Sequence, residues 1–183
     1  MSRIPAVDRA SADPKSKPLL DAVNKAFGVT PNLFRVTAQS PAALEGLLGL
    51  NGALDNGSFT GKTREAIALA VAEANSCDYC LSAHTALGKR AGMSVADVAS
   101  ARQGRASDPK TAAIVRFARL LVDNRGHTTD GELAQLHQAG VSEGEIIEIV
   151  ANTVFNIFTN YLNHVAGTDI DFPVMRADVA VVA

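Results

Sequence analysis

"TREAIALAVAEANSCDYCLSAHTALGKRAG", residues 63–92, holds both cysteines of the chain, Cys77 and Cys80, together with His84. An alanine-rich helical run is interrupted at Asn75-Ser76, and a second run ends at Gly92. With Cys77 at the start of the second helix and Ser76 as its cap, both cysteines fall in the first turn. There the helix dipole and the free N–H groups favour a thiolate. Three residues turn a helix by roughly 300° and four by roughly 400°, so Cys77, Cys80 and His84 share one face. Helical residues three apart are neighbours, within the Cα separation of about 4.4–6.8 Å that a disulfide spans. Position and spacing suit redox chemistry. A zinc site is the chemical competitor, with Cys77, Cys80 and His84 as ligands and His164 or Glu65 as a fourth, although structural zinc usually pairs two separated couplets. Inert core cysteines are the third reading.

Working outward, the chain reads as all-α. "LLDAVNKAFG" closes on Gly28 as a C-terminal cap, "PNLFRVTAQS" is a short helix, and "PAALEGLLGLNGALDNG" is a longer one with Pro in its first turn. Ser94 with Asp97 is a variant capping box. Thr129 with Glu132 and Ser142 with Glu145 fit S/T-x-x-E, in which each side chain satisfies an orphan backbone donor. "PKTAAIVRFARLLVDNRG" is amphipathic. The helix opening at Ser142 is the longest, and its apolar residues cover more than one face. Such a helix is either central in the fold or partly buried by a second subunit. The tail, "TDIDFPVMRADVAVVA", reads as an extended arm. Without a fixed-period repeat or a linker, residues 1–183 read as one domain.

The chain has 183 residues, a net charge of -2, 47% hydrophobic and 20% charged residues, an ordinary soluble composition. Basic residues are interspersed with acidic ones, which gives no support to nucleic-acid binding. No apolar run reaches the roughly 18–20 residues of a membrane span, and the N-terminus lacks a signal-peptide core. The expectation is a cytoplasmic protein, in a reducing compartment where CxxC means redox chemistry or metal more often than a structural staple.

Glu65 lies twelve positions before Cys77, among apolar neighbours, and a carboxylate there needs a partner because an unpaired buried charge is expensive. If the break folds the two helices back to back, Glu65 reaches His84. Glu73 is a rival, although its place beside the break suits an exposed or capping role. Tyr79 suits packing better than catalysis. Asn160, Asn163 and His164 form a polar cluster that borders the site, caps a helix or meets a subunit. "NLF" at 32–34 reads as core or interface rather than a substrate pocket.

Glu65, Cys77, Cys80 and His84 stand in the E-x11-C-x-x-C-x3-H arrangement, and the chain resembles the AhpD-like alkylhydroperoxidases of the carboxymuconolactone decarboxylase superfamily. "PNLFRVTAQSPAALEGL" and "NIFTNYLNHVAGTDIDFP" are similar to flanking segments of its peroxidase-related branch, so the resemblance spans roughly residues 28–173, with the signature helix pair at 61–92. The resemblance implies an all-helical fold that oligomerises through long helices, and a thiol peroxidase without metal, haem or other cofactor. Cys80 would be the peroxidatic sulfur, Cys77 its resolving partner and a proton donor, and His84 with Glu65 the proton relay. The implied partners are a hydroperoxide substrate, an external dithiol reductant of the lipoyl-linked kind, and further copies of the chain. Well-known members often carry a histidine immediately before the second cysteine, where this chain has Tyr79, a departure that touches their reductant and full proton pathway. Two other functions compete: a redox-responsive binding or regulatory protein, and a non-redox enzyme with His84 as base.

Overall fold

The computed structural model describes residues 2–178, and among them every regular element is helical. After a short 3-10 turn come α1 (Ser16–Phe27), α2 (Asn32–Thr37), α3 (Pro41–Asp55), α4 (Gly61–Ala74), α5 (Asp78–Arg90), α6 (Val95–Arg102), α7 (Pro109–Asp123), α8 (Asp130–Gln138) and α9 (Glu143–Ala166). The start signals work as the residue types dictate. Ser94, Thr129 and Ser142 each open a reciprocal capping box, with Asp97, Glu132 and Glu145 as the returning carboxylates. Gly28, at φ 78°, closes α1 in the left-handed conformation that a side chain resists.

α4 is the axis of the fold and packs against α5, α6, α7 and α9. Its residues Ala66–Glu73 are all buried, as expected of a helix apolar on every side. Ala66, Leu69, Ala70 and Ala72 face the cysteine helix α5 and α6. Ile67 and Val71 pack with Ile114 and Phe117 of α7 and Ile146 and Ile149 of α9. The small alanines let α5 approach closely. Ile67 is fully buried, and truncating such a side chain to alanine costs about 2–5 kcal/mol.

The break between α4 and α5 has a defined geometry. The Cys77 N–H donates to the Ala72 carbonyl at 2.9 Å and the Ser76 N–H to that of Glu73 at 3.0 Å, the Schellman closure of a helix. Ser76 occupies its left-handed position at φ 53°, where glycine is the usual residue. The expected cap is therefore shifted by one residue. Ser76 terminates α4, and Cys77 itself stands at the N-cap of α5.

α9 presents two unlike faces. Asn152, Asn156, Asn160 and Asn163 point inward and are buried, whereas Ile147, Val150, Val154, Phe158, Tyr161 and Val165 are 39–69% exposed. Residues 168–178 contain no helix or strand and run along the outside of α5. The Met175 N–H donates to Ser82 Oγ at 2.8 Å, Arg176 pairs with Asp78 at 2.6 Å, and Tyr79 Oη donates to Asp171 at 2.8 Å. The expected extended arm thus has its first part clamped to the cysteine helix; the rest of it, 179–183, lies outside the described residues. No helix among the described residues is long and apolar enough to cross a membrane.

Candidate active site

The fold brings together the four residues that the spacing singles out. Cys77 and Cys80 occupy the N-cap and third position of α5, one turn apart, and both are free thiols. His84 follows one turn later, and its Nδ1 meets Glu65 Oε2 of α4 at 2.8 Å. With the carboxylate accepting, Nδ1 carries the hydrogen and Nε2 is left for the site. Glu65, not Glu73, is the residue that orients His84.

Cys80 is 2% exposed and Cys77 1%. Burial alone pushes the Cys80 thiol up. The hydrogen bond from Cys77, the charge of His84 and the amide of Asn163 outweigh it and bring the thiol down to about 7. Asn163 Nδ2 donates to Cys80 Sγ at 3.3 Å, and Asn160, whose Nδ2 has no other hydrogen-bond partner, adds its dipole. Cys77 is held in the opposite state. Its bond to Cys80, then burial, then the Cys80 charge keep it well above the ordinary thiol range. Burial pulls His84 down, but the charge and hydrogen bond of Glu65 prevail and raise it. The arrangement is an acidified Cys80 thiol, a Cys77 thiol held in its protonated form behind it, and an imidazole whose protonated form Glu65 favours beside it.

A cavity of about 260 Å³ opens at Cys80. Phe27, Phe34, Phe155 and Phe172 give it aromatic walls, and Cys80, His84 and Glu65 lie at one side. Since a cavity of about 150 Å³ accepts benzene, this one has room for a ligand of roughly ten non-hydrogen atoms. Arg64, at its edge, is engaged by Asp55, Asn51 and Asn152. Among the described residues, no three His, Cys, Asp or Glu side chains converge as ligands for a metal ion.

Two readings of the sequence are corrected here, and a third is narrowed. Glu73 is neither exposed nor a cap: it is 4% exposed, accepts from Arg102 Nε at 2.7 Å and from the Asp178 N–H at 2.7 Å. Its local position beside the break carries no information on α6 and the tail, which cover it. The "NLF" segment does reach the pocket, because the Tyr79 hydroxyl accepts the Leu33 N–H at 3.0 Å and seats α2 over the cavity, with Leu33 and Phe34 in its lining. Within the polar cluster of α9, Asn160 and Asn163 border the sulfurs while His164 is exposed. Tyr79 is 4% exposed, stacks edge-on against Phe172 and anchors both α2 and the tail. Asn152 and Asn156 were missed. Their signal was the Asn152, Asn156, Asn160, Asn163 stripe, which repeats at helical spacing and marks a polar face turned inward.

Residues 41–124 match the sequence model of the Carboxymuconolactone decarboxylase family. No curated protein matches the chain. Among solved structures, it is similar to the AhpD core of an uncharacterized peroxidase-related protein from Ralstonia eutropha JMP134, with TM-score 0.84 and 23% identity over 93% of this chain and 92% of that one. An uncharacterized peroxidase-related protein from Silicibacter sp. TM1040 follows at TM-score 0.77 and 21% identity, over 91% of each chain. The debrominase Bmp8 superposes at TM-score 0.78 and 23% identity, over 92% of this chain and 91% of that one. The α4–α5 core thus lies inside a segment that matches the Carboxymuconolactone decarboxylase family model, and the whole helical array has the fold of AhpD-like proteins.

Proposed function

We propose that the protein is a thiol-dependent peroxidase that reduces organic hydroperoxides or hydrogen peroxide through a Cys77/Cys80 dithiol–disulfide cycle. The observation that carries this reading is the Cys80 sulfur at the cavity, activated by Cys77 and Asn163 and flanked by the His84–Glu65 pair. The Cys80 thiolate attacks the terminal oxygen of ROOH, the O–O bond breaks, and the departing alkoxide takes a proton from His84 to leave as ROH. Cys80 is then a sulfenic acid. The Cys77 sulfur displaces water from it, forming the Cys77–Cys80 disulfide, and an external dithiol, of which a lipoyl-linked one is our candidate, returns both thiols.

Magnitudes assign the roles. An ordinary thiol with pKa about 8.5 is about 3% ionised at pH 7, whereas one at about 7 is half ionised, a gain of roughly sixteen-fold. The lower basicity costs about five-fold at a Brønsted slope near 0.45. The net gain is about three-fold. A positioned general acid contributes about 10²–10⁴, so proton delivery from His84, whose protonated form Glu65 favours, is the larger part of the catalysis.

The exposed apolar stripe of α9 supports a homo-oligomer built on that helix, since contiguous exposed apolar patches mark protein contacts. Thiol chemistry of this kind fits the cytoplasm, where dithiols are kept reduced. The aromatic cavity walls favour a second reading, in which the same two electrons replace a carbon–bromine bond of a small aromatic by carbon–hydrogen and release bromide, in the manner of a debrominase. The test is steady-state turnover with dihydrolipoamide, offering cumene hydroperoxide or a bromopyrrole in parallel. Peroxide consumption that Cys80→Ser abolishes supports the first reading; bromide release without peroxide consumption supports the second.

A further inference from the structure

Cys80 lines the cavity and Cys77 does not. The Cys77 sulfur lies 4.0 Å from the Asn160 backbone oxygen, and the side chain packs in the apolar cluster of Leu69, Leu81 and Cys80 without reaching the cavity that Cys80 lines. The arm at 171–178 is fastened over the outer side of α5 by Tyr79, Asp78 and Ser82. The two sulfurs therefore differ in access: one has a route from outside, and the other is reached through Cys80.

Displacement at sulfur runs along a line, with the entering and leaving groups on opposite sides. In the cycle proposed above, Cys77 enters Cys80 from the protein side and water leaves toward the cavity. We infer that the disulfide is reopened along the same line in reverse, an external thiol entering through the cavity that admits the oxidising substrate, attacking Cys80 Sγ and displacing Cys77. This rests on the dithiol cycle of the preceding subsection. The step balances. The entering thiolate forms an S–S bond to Cys80 as the Cys77–Cys80 bond breaks, and Cys77 departs with the electron pair and takes up the proton that the entering thiol released. A second thiol of the reductant then closes on the first, its disulfide carries away two electrons, and Cys80 is freed as thiolate.

Leaving-group ability argues the other way, because the lower-pKa thiol leaves faster and Cys80 is the more acidic of the two. That difference belongs to the reduced pair. The elevation of Cys77 comes first from its bond to the Cys80 thiolate, and while Cys80 is tied in a mixed disulfide no such thiolate exists. Access decides. Two consequences follow: substrate and reductant exclude each other from one cavity, and the reductant must offer its thiol on a slender molecule or arm, since a cysteine on a folded surface does not reach a sulfur 2% exposed.

The test starts from wild-type protein oxidised with diamide, its disulfide verified as a loss of two hydrogens. A short pulse of 2-mercaptoethanol, an acid quench and fragmentation between the cysteines then locate the adduct. The expected result is mercaptoethanol on Cys80 and a free thiol at Cys77. Adduct on Cys77, an even distribution, or failure of diamide to join the two cysteines overturns the inference. A second variant checks the route: Ala83→Leu, which fills the cavity from α5, slows reduction of the disulfide by about tenfold or more, the scale on which misplaced reactants lose rate. An unchanged rate in folded Ala83→Leu protein overturns the inference as well. Peroxidase activity is not needed for either measurement. Adduct on Cys80 in a protein that consumes no hydroperoxide removes the peroxidase reading alone, and adduct on Cys77 in an active peroxidase removes this one alone.

Discussion

Replacing Cys77 with alanine removes the thiol that stands behind Cys80, and the consequence can be worked from the site. Burial pushes Cys80 up, and the Cys77 hydrogen bond leads the contacts that bring it down to about 7, ahead of His84 and Asn163. A hydrogen bond to a charged group is worth about 1.5–3 kcal/mol, and one pKa unit corresponds to about 1.4 kcal/mol. Its loss therefore raises Cys80 by about one to two units, and at pH 7 the thiolate fraction falls from about a half to between about 9% and 1%. The assay is the rate of alkylation of Cys80 by iodoacetamide as a function of pH. The wild type should show its inflection near 7, Cys77→Ala near 8 to 9, and Cys77→Ser between them, because its hydroxyl still donates. Stability follows the same linkage. Cys80 is more acidic in the folded chain than in the unfolded one, so between pH about 7 and 8.5 the unfolded state binds more protons and stability rises with pH. That contribution is complete above the unfolded pKa, is lost as pH falls through about 7, and shrinks in Cys77→Ala to nothing where the folded pKa reaches the unfolded value of about 8.5. An alkylation inflection in Cys77→Ala within about half a unit of the wild type would refute the argument that Cys77 is the principal donor.

Glu65→Gln keeps the shape of the relay but removes the charge that raises His84, so peroxide turnover at pH 7 should fall by about 10²-fold, at the low end of a general acid's contribution. Steady-state rates across pH check this, with the remaining activity shifted toward lower pH, where His84 is still protonated. Arg102→Met strands the Glu73 carboxylate, whose side chain is 5% exposed. Breaking one partner of a buried pair costs about 3 kcal/mol or more, and thermal unfolding should drop by roughly 6–12 °C, most of it recovered when Glu73→Leu is added. On α9, Val154→Glu with Phe158→Glu places charges in the exposed apolar stripe; sedimentation should show a smaller assembly than the wild type, with an unchanged mass counting against α9 as the subunit contact.

Local rules made the helices legible. Three capping boxes, the proline at the start of α3 and the glycine after α1 act within a few residues, and sequence reads at that range. The Glu65–His84 contact was legible for a similar reason, since one break between two helices limits where their faces meet. Glu73 was not, because Arg102 and the backbone of Asp178, its partners, come from elements whose path no local pattern fixes. Leu33 and Phe34 reached the cavity through the hydroxyl of Tyr79, 46 residues away in sequence. Asn152 and Asn156 of α9 escaped notice because buried polar stripes are rare: one apolar stripe of the helix faces solvent, Ile146 and Ile149 enter the core, and Asn160 and Asn163 face the sulfurs.

The most direct test is a single turnover of the reduced protein with one equivalent of cumene hydroperoxide, followed by intact mass and thiol titration. The account predicts loss of two thiols and two hydrogens per peroxide in the wild type, a dimedone-reactive sulfenic acid at Cys80 in Cys77→Ser, and no peroxide consumption in Cys80→Ser. Peroxide reduction that proceeds in Cys80→Ser as fast as in the wild type would contradict it.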